Sequence, residues 1–356
     1  MYNKILVFII IAILLFQTGC SPASNTRYKR YSESIFDTFD TLVQVIIYTE
    51  SEEEFRYYMN FIHARLQELH RFYDIYNNYE GINNLKTIND HAGIKPVKVD
   101  QDIIDLILFS KEWSERTGGS VNIALGPVLK IWHAYRDEAL FNPAVAELPP
   151  MELLREAAKY TDPDQIRVDQ EKMTVYLADS RMSLDVGAVA KGFALEMVVA
   201  EAAAAGIESA IISIGGNIRT IGQPLDHDRD LWGIGVQDPD ASIVGGSEKL
   251  LDIINLAEGS VDSSGDYQRF YIFNDKIIHH LIDPQTLMPA GYYRAVTVVA
   301  DHAGVADFMS TALFLVPIGE SLLLAESINN FEALWVMPDG EVRTTAGMKA
   351  LLRSHN

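Results

Sequence analysis

The sequence predicts an α+β fold, and three observations support this prediction. Helical and strand-like segments are mixed along the chain without the strict strand–helix–strand rhythm of a parallel sheet. Apolar residues make up 48% of the chain and charged residues 22%, which is typical of a globular protein with a substantial core. The length of 356 residues allows one large domain or two smaller ones, at about 100–200 residues per domain.

The N-terminus has the pattern of a lipoprotein signal peptide over residues 1–19. Lys4 is followed by the apolar run Ile5–Phe16 and then by a small residue directly before Cys20. The run is too short to span a membrane as a helix, which needs about 20 apolar residues. We therefore expect cleavage before Cys20, a polar tether over residues 20–34 and a folded domain over residues 35–356.

Cys20 is the only cysteine in the chain, so it can form neither an internal disulfide nor a cysteine-based metal site. Lipidation at this residue would anchor the protein stably to the cell membrane, because a diacylated cysteine supplies two acyl chains. An uncleaved signal anchor is the alternative, since lipoprotein signals usually carry Leu where this chain has Gln17. Both interpretations predict an extracytoplasmic location for the folded part.

The acidic composition restricts the possible partners. The chain carries a formal net charge of −20 at pH 7, so the phosphates of nucleic acids would repel it. Anionic lipid head groups would not attract it either, and membrane attachment then requires the anchor rather than a basic patch. We expect no nucleic-acid partner.

The first half of the chain predicts one strand and three helices. β-branched and apolar residues indicate a strand over Thr41–Tyr48. Ser51 and the three glutamates that follow it suit the positive end of a helix dipole, and apolar residues then recur at helical spacing. Further helices are expected over Gln101–Arg116 and Met151–Lys159.

The second half predicts more strands and two helices. An Ala-rich helix is expected to begin at Gly187 and to run to Ala205, where Gly206 can end it in a left-handed conformation. Another helix is expected over about Gly304–Leu315, before Pro317. Strands are expected over Met173–Leu177, Met182–Val186, Ser209–Ile214, Leu251–Leu256, Phe270–Phe273, Ile277–Ile282 and Ala295–Ala300.

Asp307 and Thr311 are four residues apart in the last of these helices and therefore share one face. A carboxylate and a hydroxyl supply the hard oxygen ligands that Mg2+ prefers, and Mg2+ is usually held by one or two carboxylates with phosphate and water. The structural alternative is an Asp that caps the helix and a Thr that bonds to its own backbone. The spacing alone leaves both interpretations open.

The segment Ser183–Gly192 predicts a turn in which Asp185 precedes a helix that carries Lys191 in its first turn. Free N–H groups at a helix start bind anions, and a lysine adds a positive point charge. The segment is not a Walker A loop, because the required glycine–lysine spacing is absent. A phosphate site and a plain strand–helix turn are equally compatible with this pattern.

The paired histidines His279 and His280 stand at a predicted strand end, before the turn at Asp283-Pro284. Either could act as a general base near neutral pH, and either could be a hydrogen-bonded structural histidine. Ser213–Asn217 and Ser263–Tyr267 are further glycine-containing strand ends, where a ligand can approach the backbone.

These segments together resemble the ApbE family of FAD:protein FMN transferases, and the resemblance runs from about Ile35 to about Leu351. The matching motifs occur in the family's order. The most specific are Leu184–Gly192, Ser213–Asn217, His280–Pro284 and Ala306-Asp307 with Ser310–Leu313. Less specific matches are Phe39–Thr41, Tyr76, and Gly118–Asn122 with Gly126-Pro127 and Trp132.

The resemblance implies a single domain with the active site in a cleft between two lobes, and it implies a role for each matching residue. Asp307, Thr311 and the Ala188 carbonyl would bind Mg2+, and His280 would be the catalytic base. The implied FAD-binding residues are Phe39, Tyr76, Ser120, Val121, Asn122, Asp185, Lys191 and Ile282.

Two positions depart from the family's pattern. Phe39-Asp40 stands where the family often has Met-Gly, which puts the contacts at that edge of the flavin site in question. Ser310 stands where some members have a second Asp, which leaves open whether the metal has a second acidic ligand.

The implied reaction moves FMN from FAD, as a substrate, to a Thr or Ser hydroxyl of an extracytoplasmic flavoprotein or membrane redox subunit, and releases AMP. One alternative is a Mg2+-dependent FAD pyrophosphatase, in which water replaces the protein hydroxyl. A second alternative is a flavin- or solute-binding lipoprotein without catalysis.

Overall fold

The computed structural model describes residues 27–226, 229–240 and 249–355. The expected signal peptide, Cys20 and the first part of the tether lie outside these residues. In the described part of the chain, no helix combines the length and the apolar character needed to cross a membrane.

Helices and strands are mixed along the chain, which confirms the predicted α+β class. Within the described ranges the α-helices are α1 (Glu52–Tyr73), α2 (Leu85–Asp90), α3 (Gln101–Arg116), α4 (Gly126–Phe141), α5 (Met151–Ala158), α6 (Ala190–Ala204), α7 (Ala303–Phe314), α8 (Ile318–Glu326) and α9 (Ala346–Leu351). The strands are β1 (Lys29–Thr38), β2 (Thr41–Thr49), β3 (Val97–Lys98), β4 (Ile166–Asp169), β5 (Thr174–Leu177), β6 (Ala210–Ile214), β7 (Asn217–Ile221), β8 (Trp232–Gln237), β9 (Leu250–Leu256), β10 (Ser260–Gly265), β11 (Phe270–Phe273), β12 (Lys276–His279), β13 (Ala295–Ala300), β14 (Glu332–Val336) and β15 (Val342–Thr344).

The centre of the fold is an eight-stranded antiparallel sheet with the strand order β1-β2-β6-β7-β10-β13-β14-β15. The edge strand β1 begins at Lys29, six residues before the expected domain start at Ile35. Its first residues, expected to be tether, pair with β2 from Lys29 opposite Thr49 to Ser34 opposite Gln44. Charged and polar side chains protect an edge strand from further pairing, and they also hide its strand pattern in the sequence.

The predicted strand over Met182–Val186 is wrong. The Leu184 N–H donates to the side-chain oxygen of Asn89, and the Leu184 carbonyl accepts from the Asn89 amide at 3.0 Å. The segment is therefore extended but pairs with a side chain instead of a neighbouring strand. The following helix α6 begins at Ala190 rather than at Gly187, because residues 187–189 form a turn.

Helices α6 and α7 pack against each other and against the central sheet, and α1 covers α6 and strands β1 and β2. All residues of α7 except Val305 are buried, including the polar Asp307, Ser310 and Thr311. A helix that is buried on every side loses the amphipathic pattern of a surface helix. The polar residues of α7 therefore lie inside the protein, where each needs a partner.

Two smaller hydrophobic clusters flank the main core. One packs the β8–β9 hairpin against the central sheet, around Ile254 and Val261. The other packs α4 and α5 around Trp132 together with Ile282, and the Trp132 indole N–H donates to the Leu287 carbonyl at 3.0 Å. A cleft at the boundary of this second cluster and the main core is lined by residues of both, including Leu125 and Ile282 from the cluster and Val121 from the core.

Gly192 sets the closest approach of α6 and α7. A Cβ atom at this position would collide with the Ala303 carbonyl oxygen and with the Cβ atom of Asp307. We expect Gly192→Ala to push the two helices apart and to lower the free energy of unfolding by about 1–3 kcal/mol, which thermal or urea unfolding would measure.

The matched control is Gly319→Ala in α8, where the added methyl group meets no atom within 4 Å. This change should leave stability unchanged or raise it, because Ala favours a helix over Gly by about 1 kcal/mol. Equal melting temperatures for the two variants would contradict the proposed tight contact at Gly192.

Candidate active site

One cavity of about 740 Å3 lies in the cleft and brings all the predicted site residues together. They come from the β1–β2 turn, from the loops after α1 and α3, from the turn before α6, from the segment after β12 and from helices α6 and α7. The predicted residues that line it are Phe39, Tyr76, Ser120, Val121, Asn122, Asp185, Ala188, Lys191, His280, Ile282, Asp307 and Thr311.

Asp307 connects α7 to the start of α6. It is 3% exposed, and its carboxylate accepts a hydrogen bond of 2.7 Å from the backbone N–H of Gly192. The Lys191 ammonium lies 3.8 Å from the other carboxylate oxygen. The arrangement places a carboxylate, a lysine and the positive end of a helix within one wall of the cavity.

The structural alternative for Asp307 and Thr311 does not hold. The side chain of His302 caps α7, by accepting from the N–H groups of Gly304 and Val305. The Thr311 hydroxyl lies 3.1 Å from the Ser264 hydroxyl on β10. Both α7 side chains thus face groups outside their own helix, on the side that lines the cavity.

Asp262 on β10 is a further buried carboxylate in this wall, and it is not among the site residues predicted from the sequence. It is 4% exposed and accepts a hydrogen bond of 2.9 Å from the Ser310 hydroxyl. Burial and the negative charge of Asp307 raise the pKa of Asp262 to about 7. The sequence does contain a feature that could have revealed Asp262. A carboxylate stands between Val261 and Ser263 in a strand-like segment, where an unpaired charge is costly to bury.

The two adjacent histidines have different surroundings. The Nε2 atom of His279 lies 2.8 Å from the Ala290 carbonyl, and its Nδ1 accepts from the Leu281 N–H, so His279 is a structural histidine. The Nδ1 atom of His280 is buried and has no hydrogen-bond partner among the described residues. Desolvation by burial, together with the positive charges of Arg269 and Lys191, lowers the pKa of His280 to about 3. His280 is therefore neutral at physiological pH, with a ring nitrogen free to interact with a ligand.

The aromatic side chains Phe39 and Tyr76 also line the cavity and are called its aromatic rim below. Tyr76 is 61% exposed, and Asp74 fixes its backbone by accepting from the Tyr76 N–H at 2.6 Å. The Phe39 N–H donates to the Nδ1 atom of His70 at 3.1 Å. Phe39 and Asp40 both have positive φ, 54° and 50°, at the turn between β1 and β2. A flat ring can stack on such a rim.

Some predicted contact residues have their side chains engaged elsewhere. Asn122 accepts from the Ala124 N–H and donates to the Thr161 carbonyl, so its amide holds the loop. Asp185 accepts from the Gly187 N–H at 2.9 Å and thereby shapes the turn that presents Ala188. These residues orient the cavity wall through the backbone.

The three residues that the sequence resemblance implies for Mg2+, Ala188, Asp307 and Thr311, all line the cavity at the α6–α7 wall. Their carboxylate, hydroxyl and carbonyl groups are oxygen donors of the kind that suit a divalent cation. Among the residues that the structure describes, no cluster of three or more His, Cys, Asp or Glu side chains is suited to a metal. A mixed set of hard oxygens with few carboxylates is the kind that Mg2+ occupies together with phosphate and water.

The cavity thus combines a group of oxygen-bearing residues (Ala188, Asp307 and Thr311, called the cation corner below), the lysine Lys191 and the aromatic residues Phe39 and Tyr76. This combination suits a flat-ringed ligand that bears phosphate. The model of the ApbE family matches residues 39–335, and this chain belongs to that family.

Known relatives agree with this assignment. The FAD:protein FMN transferase of Treponema pallidum is 32% identical over 276 residues, which cover 74% of this chain and 73% of that protein. A protein of the same name from Klebsiella pneumoniae is 26% identical over 281 residues, covering 78% and 82% of the two chains.

Solved structures share the fold. The ApbE protein of Thermotoga maritima superposes with a TM-score of 0.78 at 26% identity, over 91% of this chain and 100% of that chain. The flavin transferase ApbE of Vibrio cholerae superposes with a TM-score of 0.74 at 20% identity, over 91% and 100% of the two chains, which supports the fold alone.

The low pKa of His280 predicts a pH dependence of stability. The folded protein keeps His280 neutral, while the unfolded chain binds a proton below about pH 6.5. The stability that this difference contributes is present above about pH 6.5 and is lost as the pH falls toward 3. Relative to the His280→Asn variant, we expect the free energy of unfolding of the wild type to fall by at most about 1.4 kcal/mol for each pH unit between about pH 6.5 and 3. Urea unfolding across the pH range measures the difference, and a constant difference would show that the pKa of His280 is the same in the folded and unfolded states.

Proposed function

We propose that this protein is a Mg2+-dependent FAD:protein FMN transferase, which moves FMN from FAD to a Thr or Ser hydroxyl of an acceptor protein and releases AMP. The observation that carries the proposal is the contact of α6 and α7, where Lys191, Gly192 and Asp307 meet in the wall of a nucleotide-sized cavity. Membership in the ApbE family and the names of the relatives support it.

The cation corner would hold Mg2+ through Asp307, Thr311 and the Ala188 carbonyl. Mg2+ bound there would supply charge neutralisation for the pyrophosphate of FAD and for the leaving AMP. Lys191, in the first turn of α6, adds a fixed positive charge at the same wall. The flavin ring would lie toward Phe39 and Tyr76, so that the phosphates reach the α6–α7 wall.

His280 is the proposed catalytic base, since it lines the cavity and its Nδ1 atom is free of protein partners among the described residues. The acceptor hydroxyl attacks the phosphorus on the FMN side, and its proton goes to His280. A phosphorus–oxygen bond to the acceptor forms as the pyrophosphate bond breaks, and AMP leaves with the bridging oxygen. FAD is thus consumed as a substrate.

The proposed acceptor is an extracytoplasmic flavoprotein or a membrane redox subunit. An anchor at Cys20 would hold the transferase at the outer side of the cell membrane, where such acceptors are located. The partly exposed aromatic rim leaves the cavity open to an approaching protein segment, since Tyr76 is more than half exposed.

The same residues would also serve hydrolysis of FAD, in which water takes the place of the acceptor hydroxyl. Incubation with FAD and Mg2+, with and without a candidate acceptor, separates the possibilities. An acceptor that gains the mass of FMN supports transfer. Free FMN and AMP without an adduct would establish a pyrophosphatase, and unconsumed FAD would establish a binding protein without catalysis.

Asp307→Ala should abolish flavin transfer, because it removes the carboxylate closest to Lys191 and the start of α6. We expect the rate to fall by at least about 100-fold, measured by mass spectrometry of a co-expressed acceptor. The control is Asp301→Ala, which removes an exposed carboxylate just before α7, outside the cavity lining. A wild-type rate for Asp307→Ala with Mg2+ would refute the metal assignment.

His280→Ala should slow transfer far more than it weakens FAD binding. Loss of a general base typically costs about 10²–10⁴-fold in rate. Single-turnover kinetics give the rate of transfer, and fluorescence titration gives the affinity for FAD. Equal losses in both would argue against the base role and for a role in binding.

A further inference from the structure

The side chains of β10 that face α7 lie beside the cation corner. Ser264 is two residues after Asp262, and both therefore point to the same face of the sheet. The Ser264 hydroxyl lies 2.9 Å from the Ser310 hydroxyl and 3.1 Å from that of Thr311. Ser310 in turn donates to the Asp262 carboxylate at 2.9 Å. A chain of hydroxyl contacts thus places Asp262 against the face of α7 that carries Asp307 and Thr311.

Two carboxylates are buried in this wall, and one lysine faces them. Asp262 and Asp307 are 4% and 3% exposed, and each lines the cavity. The charges that act on Asp262 are the negative charge of Asp307 and the positive charge of Lys191. Two carboxylates buried beside one lysine repel each other, and either proton uptake by Asp262 or a bound cation relieves this repulsion. A divalent cation held by Asp307 would therefore also interact favourably with Asp262.

Asn217 gives independent evidence that a ligand belongs here. Strand β7 pairs with β10 through Ile218 opposite Val261, which makes Asn217 the neighbour of Asp262 across the sheet. Asn217 is 3% exposed and lines the cavity, yet its amide nitrogen has no hydrogen-bond partner among the described residues. A buried amide donor without a partner is rare in a complete site, so the cavity wall beside Asp262 has room for a hydrogen-bond acceptor, such as a phosphate oxygen, that the protein itself does not supply. A cation at Asp262 would lie next to that anionic group and be held by it as well.

We propose that Asp262 is the second carboxylate of the cation site and that its negative charge strengthens binding of the divalent cation held by Asp307 and Thr311. This inference rests on the Mg2+ dependence in the proposed function. It assigns Asp262 a role in binding the cation, separate from the proton transfer assigned to His280.

Isothermal titration of Mg2+ into the full chain without FAD tests the inference. Asp262→Asn keeps the size of the side chain and an oxygen acceptor for Ser310 but removes the charge. We expect it to weaken Mg2+ binding by about 10–100-fold, the range seen when groups that support metal ligands are removed. Asp179→Asn removes the same charge at the surface, where Asp179 pairs with Arg181, and should leave the affinity unchanged.

The melting temperature without metal gives a second readout. Removing one of two buried like charges should leave the melting temperature of Asp262→Asn equal to that of wild type or above it, while the gain on adding Mg2+ becomes smaller. A purely structural role of Asp262 predicts the opposite, a lower melting temperature without metal and an unchanged gain. If the Asn variant does not fold, Asp262→Ser serves as the second variant with the same expected loss of affinity.

The outcomes separate this inference from the proposed function. Wild-type Mg2+ affinity in Asp262→Asn, together with loss of binding in Asp307→Ala, would overturn the role of Asp262 and leave the metal assignment intact. Absence of Mg2+ binding in wild type would overturn both. Reduced affinity in both variants, with the Asp179→Asn control unaffected, supports both.

Discussion

The hydrogen bond from the Gly192 N–H to the Asp307 carboxylate is the interaction on which the site depends. It joins the first turn of α6 to the middle of α7, and it is possible only because Gly192 has no side chain to separate the helices. The same contact brings Lys191 to 3.8 Å from Asp307. Burial of α7 on all sides then fixes the carboxylate direction, so the charged end of the cavity is preorganised by the core itself.

Much of the fold could be predicted because apolar periodicity marks its buried elements. Helices α1, α3 and α7 and strands β2, β6 and β13 lie close to their predicted positions, since each buries a recognisable apolar face. Two of the elements that the sequence patterns misplace have a related cause. Strand β1 is polar because it is an edge, and the extended segment at Leu184 has an apolar pattern but pairs with the Asn89 side chain. Neither pairing partner is visible in a local pattern.

The cavity brings every predicted site residue to one place, yet the sequence could not supply the whole arrangement. Asp262 and Asn217 become neighbours only through the register of β10 on β7, and Asp262 meets α7 only through tertiary packing. Likewise, the sequence presents His279 and His280 as equivalent. The difference between them arises because Ala290 and Leu281 occupy both ring nitrogens of His279 and leave Nδ1 of His280 free of protein partners among the described residues.

The charge balance of the wall explains why cation and nucleotide would bind together. A chain of net charge −20, with Asp262 and Asp307 in the same wall, presents a negative field to the anionic pyrophosphate of FAD. Lys191 alone cannot reverse this field, whereas a divalent cation between the carboxylates and the phosphates attracts both. Each ligand then raises the affinity for the other by the same factor, because coupling between two binding events is reciprocal. Under the proposed function, the second buried carboxylate therefore makes FAD binding depend strongly on the cation.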